Sequence, residues 1–337
     1  MKNLICAVGG VALALSLVAC GSGGSASGDG TINVATSQTA SDAPFIIGSE
    51  AGIWDKHGLK VENVPVQGSA PAFAGLANGS IQTVHQGPVV MAQANQKGAD
   101  LRFFCGAGAT IWNGFIVASD GPLAGMSGQP YKKKIEALKG RNIGISALKS
   151  TTEMLGNMML EAGGLSGSDV SYVAVGYGEG ALSALKQGRV DAIVTYPFLT
   201  QQGEDAVELL VDIPNEKDAP ADMFNTMNSG WIANKEWLDE NPETAKKFCG
   251  AFGDALTHVT AEKNRDAVAG KLQKSFGIPS LGVAKEVISA DGPLSLLSTK
   301  LDCGALQRSI ELAEKQGQIK TDPKMTCDNM IWKAPQA

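Results

Sequence analysis

The residues best placed to do chemistry lie in the stretch 138–165, LKGRNIGISALKSTTEMLGNMMLEAGGL, where a cation, several hydroxyls and the start of a helix follow one another. Asn142-Ile143-Gly144-Ile145 is a short apolar run of the kind that fills a buried parallel strand. From Ser150 the apolar residues switch to helical spacing, at Met154, Leu155, Met158, Met159 and Ala162. Ser150 with Glu153 three residues on fits a capping box, which leaves early backbone N–H groups and the hydroxyls of Thr151 and Thr152 at the mouth of the turn. Unpaired N–H groups, hydroxyls, the positive end of a helix dipole and the adjacent Lys149 suit a small anion. The same S-x-x-E pattern also serves as a plain helix cap, and the Glu153 carboxylate would add negative charge. The stretch therefore needs support from the rest of the chain.

That support comes from other loops. Three strand ends carry uncharged hydrogen-bonding side chains followed by a proline: Ser37-Gln38-Thr39 with Pro44, Gln67-Gly68-Ser69 with Pro71, and Gln86-Gly87 with Pro88. Proline suits a first helical turn, where its missing N–H is not needed. Two later loops add Gly176-Tyr177-Gly178-Glu179-Gly180 and Thr195-Tyr196-Pro197. Ligands in open α/β sheets bind at the carboxyl ends of strands, so the ligand-binding set expected here is Ser37, Gln38, Gln67, Gln86, Ser150, Thr151, Thr152, Tyr177 and Tyr196, with Trp112 as a further aromatic wall. Glu179 divides the ligand classes. Facing the cleft it would favour an amine or a pyrimidine; turned outward it stabilises the next helix. Micromolar affinity requires about 8 kcal/mol, whereas a helix terminus offers at most about 2 kcal/mol and each charged hydrogen bond about 1.5 to 3 kcal/mol. One loop does not suffice, and two half-sites must close on the ligand.

Catalytic chemistry finds little footing. His57, His85 and His258 are scattered singles, and neither H-E-x-x-H nor G-x-S-x-G occurs. Ser146-Ala147-Leu148-Lys149 spells S-x-x-K without the S-D-N or K-T-G that would accompany it in β-lactam-active enzymes. The glycine run G-x-G-x-G has the wrong spacing for a dinucleotide. No metal, no cofactor and no enzymatic activity is expected.

The elements that must position these loops alternate. Residues 32–35, 60–66, 81–85 and 101–104 read as strands with helical patterns between them, which implies a mostly parallel α/β sheet. A chain of 337 residues exceeds the usual size of one core, so two lobes are expected. Residues 1–19 read as a signal peptide, with Lys2 followed by an apolar run through Val18 that is short for a bilayer span. Residues 21–30, GSGGSASGDG, form a flexible tether. The net charge is -6 and Lys132 to Lys134 is the sole basic cluster, so nucleic acid is not an expected partner. Of six cysteines, Cys105, Cys249, Cys303 and Cys327 remain for pairing in three possible ways, with Cys303–Cys327 preferred because both lie in the tail.

Leu17-Val18-Ala19-Cys20 resembles the bacterial lipobox, which implies cleavage before Cys20 and a lipid on that cysteine. Ser49-Glu50-Ala51-Gly52-Ile53-Trp54 with Gly58-Leu59-Lys60-Val61 resembles a segment of solute-binding proteins of the sulfonate, nitrate, taurine and thiamine-pyrimidine class. Three further segments resemble that family in order: Ala74 through Gln82, where the family often has aspartate at the position of Gln82, then Leu138 through Ile145, then Ala184 through Ala192. The resemblance implies a type II periplasmic-binding-protein fold, two doubly wound α/β lobes joined by two crossover strands, here residues 114–119 and 229–234. Lobe one would be residues 31–115 plus 232–337, and lobe two residues 116–231. It also implies a monomeric lipoprotein on the extracytoplasmic face of the cell membrane that passes a small polar or anionic solute to ABC permease subunits. An amine or thiamine-pyrimidine binder, a fold-related enzyme of pyrimidine synthesis and a ligand sensor remain as alternatives.

Overall fold

The computed structural model of the chain describes residues 30–334, apart from residues 39, 67–68, 109–112, 177, 197–203, 214–215, 217, 220–225, 277, 279 and 291. The stretch expected to be a leader, Cys20 and all of the expected tether but Gly30 lie outside the described residues. So do Gln67, Trp112 and Tyr177.

The first elements are β1 (Thr31–Thr36), α1 (Ala43–Glu50), α2 (Ile53–Lys56), β2 (Lys60–Pro65), α3 (Ser69–Asn78), β3 (Thr83–Gln86), α4 (Pro88–Asn95) and β4 (Leu101–Gly108). Then come β5 (Gly114–Ala118), α5 (Tyr131–Glu136), β6 (Asn142–Ile145), α6 (Thr151–Ala162), β7 (Ser171–Ala174), α7 (Glu179–Lys186), β8 (Ala192–Thr195) and β9 (Val207–Asp212). The chain continues with β10 (Ser229–Asn234), α8 (Lys235–Glu240), α9 (Pro242–Thr260), α10 (Arg265–Phe276), α11 (Leu281–Val287), α12 (Cys303–Lys315) and α13 (Cys327–Met330).

Two five-stranded sheets, ordered β2-β1-β3-β10-β4 and β7-β6-β8-β5-β9, share one plan. In each, three parallel strands are followed by a strand that runs antiparallel to both of its neighbours, β10 in the first sheet and β5 in the second. The chain leaves the first sheet after β4, opens the second with β5, and returns after β9 to insert β10 between β3 and β4. This is the two-lobed α/β architecture of the periplasmic binding proteins.

The boundaries expected from sequence need correction, because they cut through two strands. Gly114 and Phe115 pair with Thr195 and Val194 in the second sheet, and Gly230 and Trp231 pair with Gln86 and His85 in the first. Neither apolar run bridges the lobes: β5 pairs along its length within the second sheet, and β10 within the first. The runs are apolar because β5 and β10 are interior strands covered on both faces. β9, at the edge of the second sheet, went unassigned because Val-Glu-Leu-Leu-Val-Asp fits no clean alternation.

The repeated motif explains itself in both lobes. Gly79 and Gly188 follow α3 and α7 with φ of 75° and 66°, a left-handed conformation in which a Cβ would be strained. Just beyond each, a polar side chain holds a neighbouring strand: the Gln82 Oε1 accepts from the Asn33 N–H at 2.8 Å, and the Asp191 Oδ2 accepts from the Asn142 N–H at 2.9 Å. Glutamine at 82 thus makes in the first lobe the backbone contact that Asp191 makes in the second.

The tail packs back on the first lobe. On α9, Ala245, Phe248, Ala251, Phe252, Ala255 and Val259 are buried at helical spacing. Phe248 lies 4.7 Å from Trp54 and 5.1 Å from Trp231 between ring centroids, so motif residue, interior strand and tail helix share one aromatic core. Disulfides join Cys105 of β4 to Cys249 of α9, and Cys303 of α12 to Cys327 of α13. Among the described residues no helix is long and apolar enough to cross a membrane.

Candidate functional site

A cavity of about 370 Å³ opens between the lobes. The carboxyl ends of β1, β2, β3, β6 and β8 meet there, and because β5 and β10 run the other way, they present their first residues to the same space. Ser37, Val66, His85, Gln86, Ser146 and Tyr196 line it from the parallel strands, and Asn113, Asn228 and Ser229 from the starts of β5 and β10. The N-termini of α3, α4 and α6 reach it through Ser69, Gly87, Ser150 and Thr151.

Of the residues expected from sequence, the structure brings Ser37, Gln86, Ser150, Thr151, Thr152 and Tyr196 into this one cavity. Gln38 is exposed and lies outside the lining, with φ of 55°. Glu179 is likewise exposed and outside the lining. Lys149 departs from expectation: it is exposed, outside the lining, and held in the left-handed region with φ of 58°. No lysine or arginine is among the described lining residues.

The wall contributed by α6 is a knot of hydroxyls. The Ser150 side chain caps α6 by accepting from the Glu153 N–H at 3.4 Å, but the Glu153 carboxylate reaches one residue further back, accepting from the Lys149 N–H at 2.6 Å. The capping box expected at Ser150 and Glu153 is therefore shifted on its return arm. Thr152, 6% exposed, accepts from the Ser146 N–H at 2.9 Å, and its hydroxyl lies 2.8 Å from that of Ser146 and 2.9 Å from that of Ser150. Behind this wall the Tyr172 hydroxyl donates to the Asn157 Oδ1 at 2.8 Å. Burial, with Glu153 and Glu161 nearby, pushes that phenol well above the usual tyrosine range, so it stays a neutral donor.

The opposite wall holds what the sequence did not disclose. The His85 Nδ1 lies 2.7 Å from the Asp42 Oδ1, and its Nε2 lies 2.8 Å from the Ser229 Oγ. Asp42 and His85 are 1% and 7% exposed, and all three residues line the cavity. The ring packs on Trp231, with centroids 5.1 Å apart. A carboxylate, an imidazole and a hydroxyl in line can pass charge to whatever the hydroxyl faces. The other two histidines serve elsewhere, His57 against Asp254 and His258 against Asn264. Positions 42, 85 and 229 share no sequence spacing; the available signal was that His85 sits one residue before the end of a strand whose tip was already suspect.

Asn113 adds a demand. It is 2% exposed and its Oδ1 meets no hydrogen-bond donor, so a donor from a ligand would relieve a buried orphan.

The lobes touch around the cavity. A Cβ on Gly87 would stand 2.8 Å from the Thr151 Oγ1 and 3.1 Å from the Asn228 carbonyl oxygen. The Gln93 Nε2 donates to the Lys149 carbonyl at 3.1 Å, the Asn157 Nδ2 to the Gln316 Oε1 at 3.3 Å, and the Lys315 ammonium pairs with Glu161 at 2.6 Å. α6 is thus docked on α4 and α12 of the first lobe.

Similar architectures are known. The chain superposes on the periplasmic aliphatic sulphonate binding protein of Escherichia coli with a TM-score of 0.69 at 18% identity, covering 91% of this chain and 94% of that one. It superposes on the alkanesulfonate-binding protein of Xanthomonas axonopodis pv. citri, bound to MOPS, with a TM-score of 0.71 at 18% identity, covering 90% and 99%. For the periplasmic nitrate-binding protein of Synechocystis PCC 6803 the TM-score is 0.70 at 17% identity, covering 90% and 86%. A Brucella abortus (strain 2308) protein, provisionally named a binding protein, is 27% identical over 223 residues, 64% of this chain. The match spans 62% of that relative's length. The family model described as NMT1/THI5 like matches residues 39–265, more than half of the sequence, and the chain belongs to that family.

Proposed function

We propose that the protein captures a small organic oxyanion, a sulfonate or a carboxylate, in the cleft between its lobes and delivers it to the transmembrane subunits of an ABC importer. In this reading it works as a monomer anchored through a lipid on Cys20 at the outer face of the cell membrane. The observation that carries the reading is the lining of the cleft, where hydroxyls and amides gather at the N-termini of α3, α4 and α6. Such a lining holds an anion by dipoles and neutral donors without a cation.

Three helix termini at up to about 1 kcal/mol each and four or five hydrogen bonds to charge at about 1.5 kcal/mol each reach the roughly 8 kcal/mol that micromolar binding requires. A cavity of about 370 Å³ is a dozen times the roughly 30 Å³ share of one water, more than a bare inorganic ion fills, which favours an organic ligand. The sulfonate-binding neighbours support the same class. A second reading, an amine or thiamine-pyrimidine ligand, draws on the unsatisfied Asn113 Oδ1 and on Asp42 in the wall. It draws nothing from Glu179, which is exposed outside the lining.

A thermal-shift screen of the mature chain against sulfonates, carboxylates, nitrate, amines and pyrimidines separates the readings, since a ligand that binds only the native state raises the melting temperature. Stabilisation by sulfonates or carboxylates is expected. Stabilisation confined to amines or pyrimidines would replace the first reading with the second.

A further inference from the structure

We propose that Asp42, His85 and Ser229 form a proton-linked polarity switch, through which the cleft takes up its oxyanion together with one proton. The inference rests on the reading of the cleft as an oxyanion site.

The imidazole of His85 is bonded at both nitrogens, to Asp42 at 2.7 Å and to Ser229 at 2.8 Å, so its orientation is fixed and only its protonation is free to change. With a neutral ring, Nδ1–H donates to the Asp42 carboxylate and Nε2 must accept the Ser229 hydroxyl hydrogen. Ser229 then shows the cleft only lone pairs, and the Asp42–His85 pair carries one negative charge. With an imidazolium, Nε2–H donates to the Ser229 Oγ, the serine hydrogen is released toward the cleft, and the pair is neutral overall. Only the second state offers an anion a donor and removes a negative charge from the wall.

The surroundings make this one proton decisive. Against the ring stand Asp42 from the segment before α1 and Ser229 and Trp231 from β10, and Ser146, Ser150 and Tyr196 of the second lobe line the same cavity. β1 brings Val34 and Ala35 beside β3, and behind Trp231 lies Phe252 of α9. Asp42 is the single charged side chain among the described lining residues other than His85 itself. A cationic or donor-rich ligand would select the opposite state, so the switch also sets ligand class.

The test is calorimetric titration of the mature chain with ethanesulfonate, benzoate and nitrate across a series of pH values. Two non-sulfonate buffers of unlike ionisation enthalpy report proton uptake. Affinity is expected to fall about tenfold per pH unit along the alkaline limb, with close to one proton taken up per anion there. His85→Gln flattens that slope; Ser229→Ala lowers affinity while the slope persists. If His85→Gln does not fold, the imidazole nitrogens of the wild-type chain, isotope-labelled and assigned against His57 and His258, report the same proton before and after the anion is added. An anion that binds with a pH-independent affinity and no buffer-dependent heat overturns the switch and leaves the oxyanion reading standing. If none of the three anions binds at any pH, the oxyanion reading falls, and the switch with it. Turnover of p-nitrophenyl acetate lost in Ser229→Ala would also overturn it, because Ser229 would then act as a nucleophile.

Discussion

Thr151 and Thr152 are adjacent in sequence and differ in what their hydroxyls do. Thr151 stands at the tip of α6 against Gly87, while the Thr152 Oγ1 is the acceptor for the Ser146 N–H inside the hydroxyl knot. Thr151→Ala is therefore expected to weaken anion binding about tenfold, the loss of one hydrogen bond to charge, with stability nearly unchanged. Thr152→Ala leaves the Ser146 N–H without its acceptor and is expected to cost about 1 to 3 kcal/mol of stability, which a urea titration would read. Equal losses of stability in the two variants would contradict this division. At this scale the sequence disclosed residues that follow a strand or begin a helix, because local pattern marks those places. It could not disclose the histidine relay, whose members come from an α1 cap, a β3 tip and a β10 start. Nor could it show that Lys149, though next in line to Ser150, is exposed and outside the cavity lining, with its backbone in the left-handed region.

Between elements, the contact that matters for closure is tip to tip, α4 against α6. Gly87 has φ of -82°, which any residue can adopt, so Gly87→Ala would act through its Cβ alone. That Cβ has no room beside the Thr151 Oγ1 and the Asn228 carbonyl, and the backbone carbonyl cannot yield as a flexible side chain could. The variant is expected to fold with an intact core, to show a larger radius of gyration by small-angle scattering, and to bind ligand at least about tenfold more weakly through the loss of the closed population. An unchanged radius and affinity would mean that α6 shifts to absorb the methyl. The parallel strands were legible from short apolar runs and the helices from their prolines and caps. β9 was not, because an edge strand half open to solvent carries a mixed pattern, and the two interior strands were mistaken for bridges because burial on both faces hides which sheet they join.

For the molecule as a whole, the disulfides divide the labour unequally. Cys105–Cys249 spans 144 residues and ties a sheet to the tail, whereas Cys303–Cys327 spans 24 residues within the tail. On chain entropy the first stabilises by about 5 kcal/mol and the second by about 3.5 kcal/mol. Replacing Cys105 and Cys249 together by alanine is expected to lower the denaturation midpoint more than replacing Cys303 and Cys327, with the reverse order counting against an entropic origin. The sheet order has a consequence of another kind, for the timing of synthesis. The second sheet draws all its strands from residues 114–212 and can be completed as soon as that stretch is available. The first cannot, since the slot between β3 and β4 waits for β10. The lobe that is begun first is finished last, and a nascent chain halted short of Ser229 holds β2, β1 and β3 on one side of a gap with β4 stranded on the other.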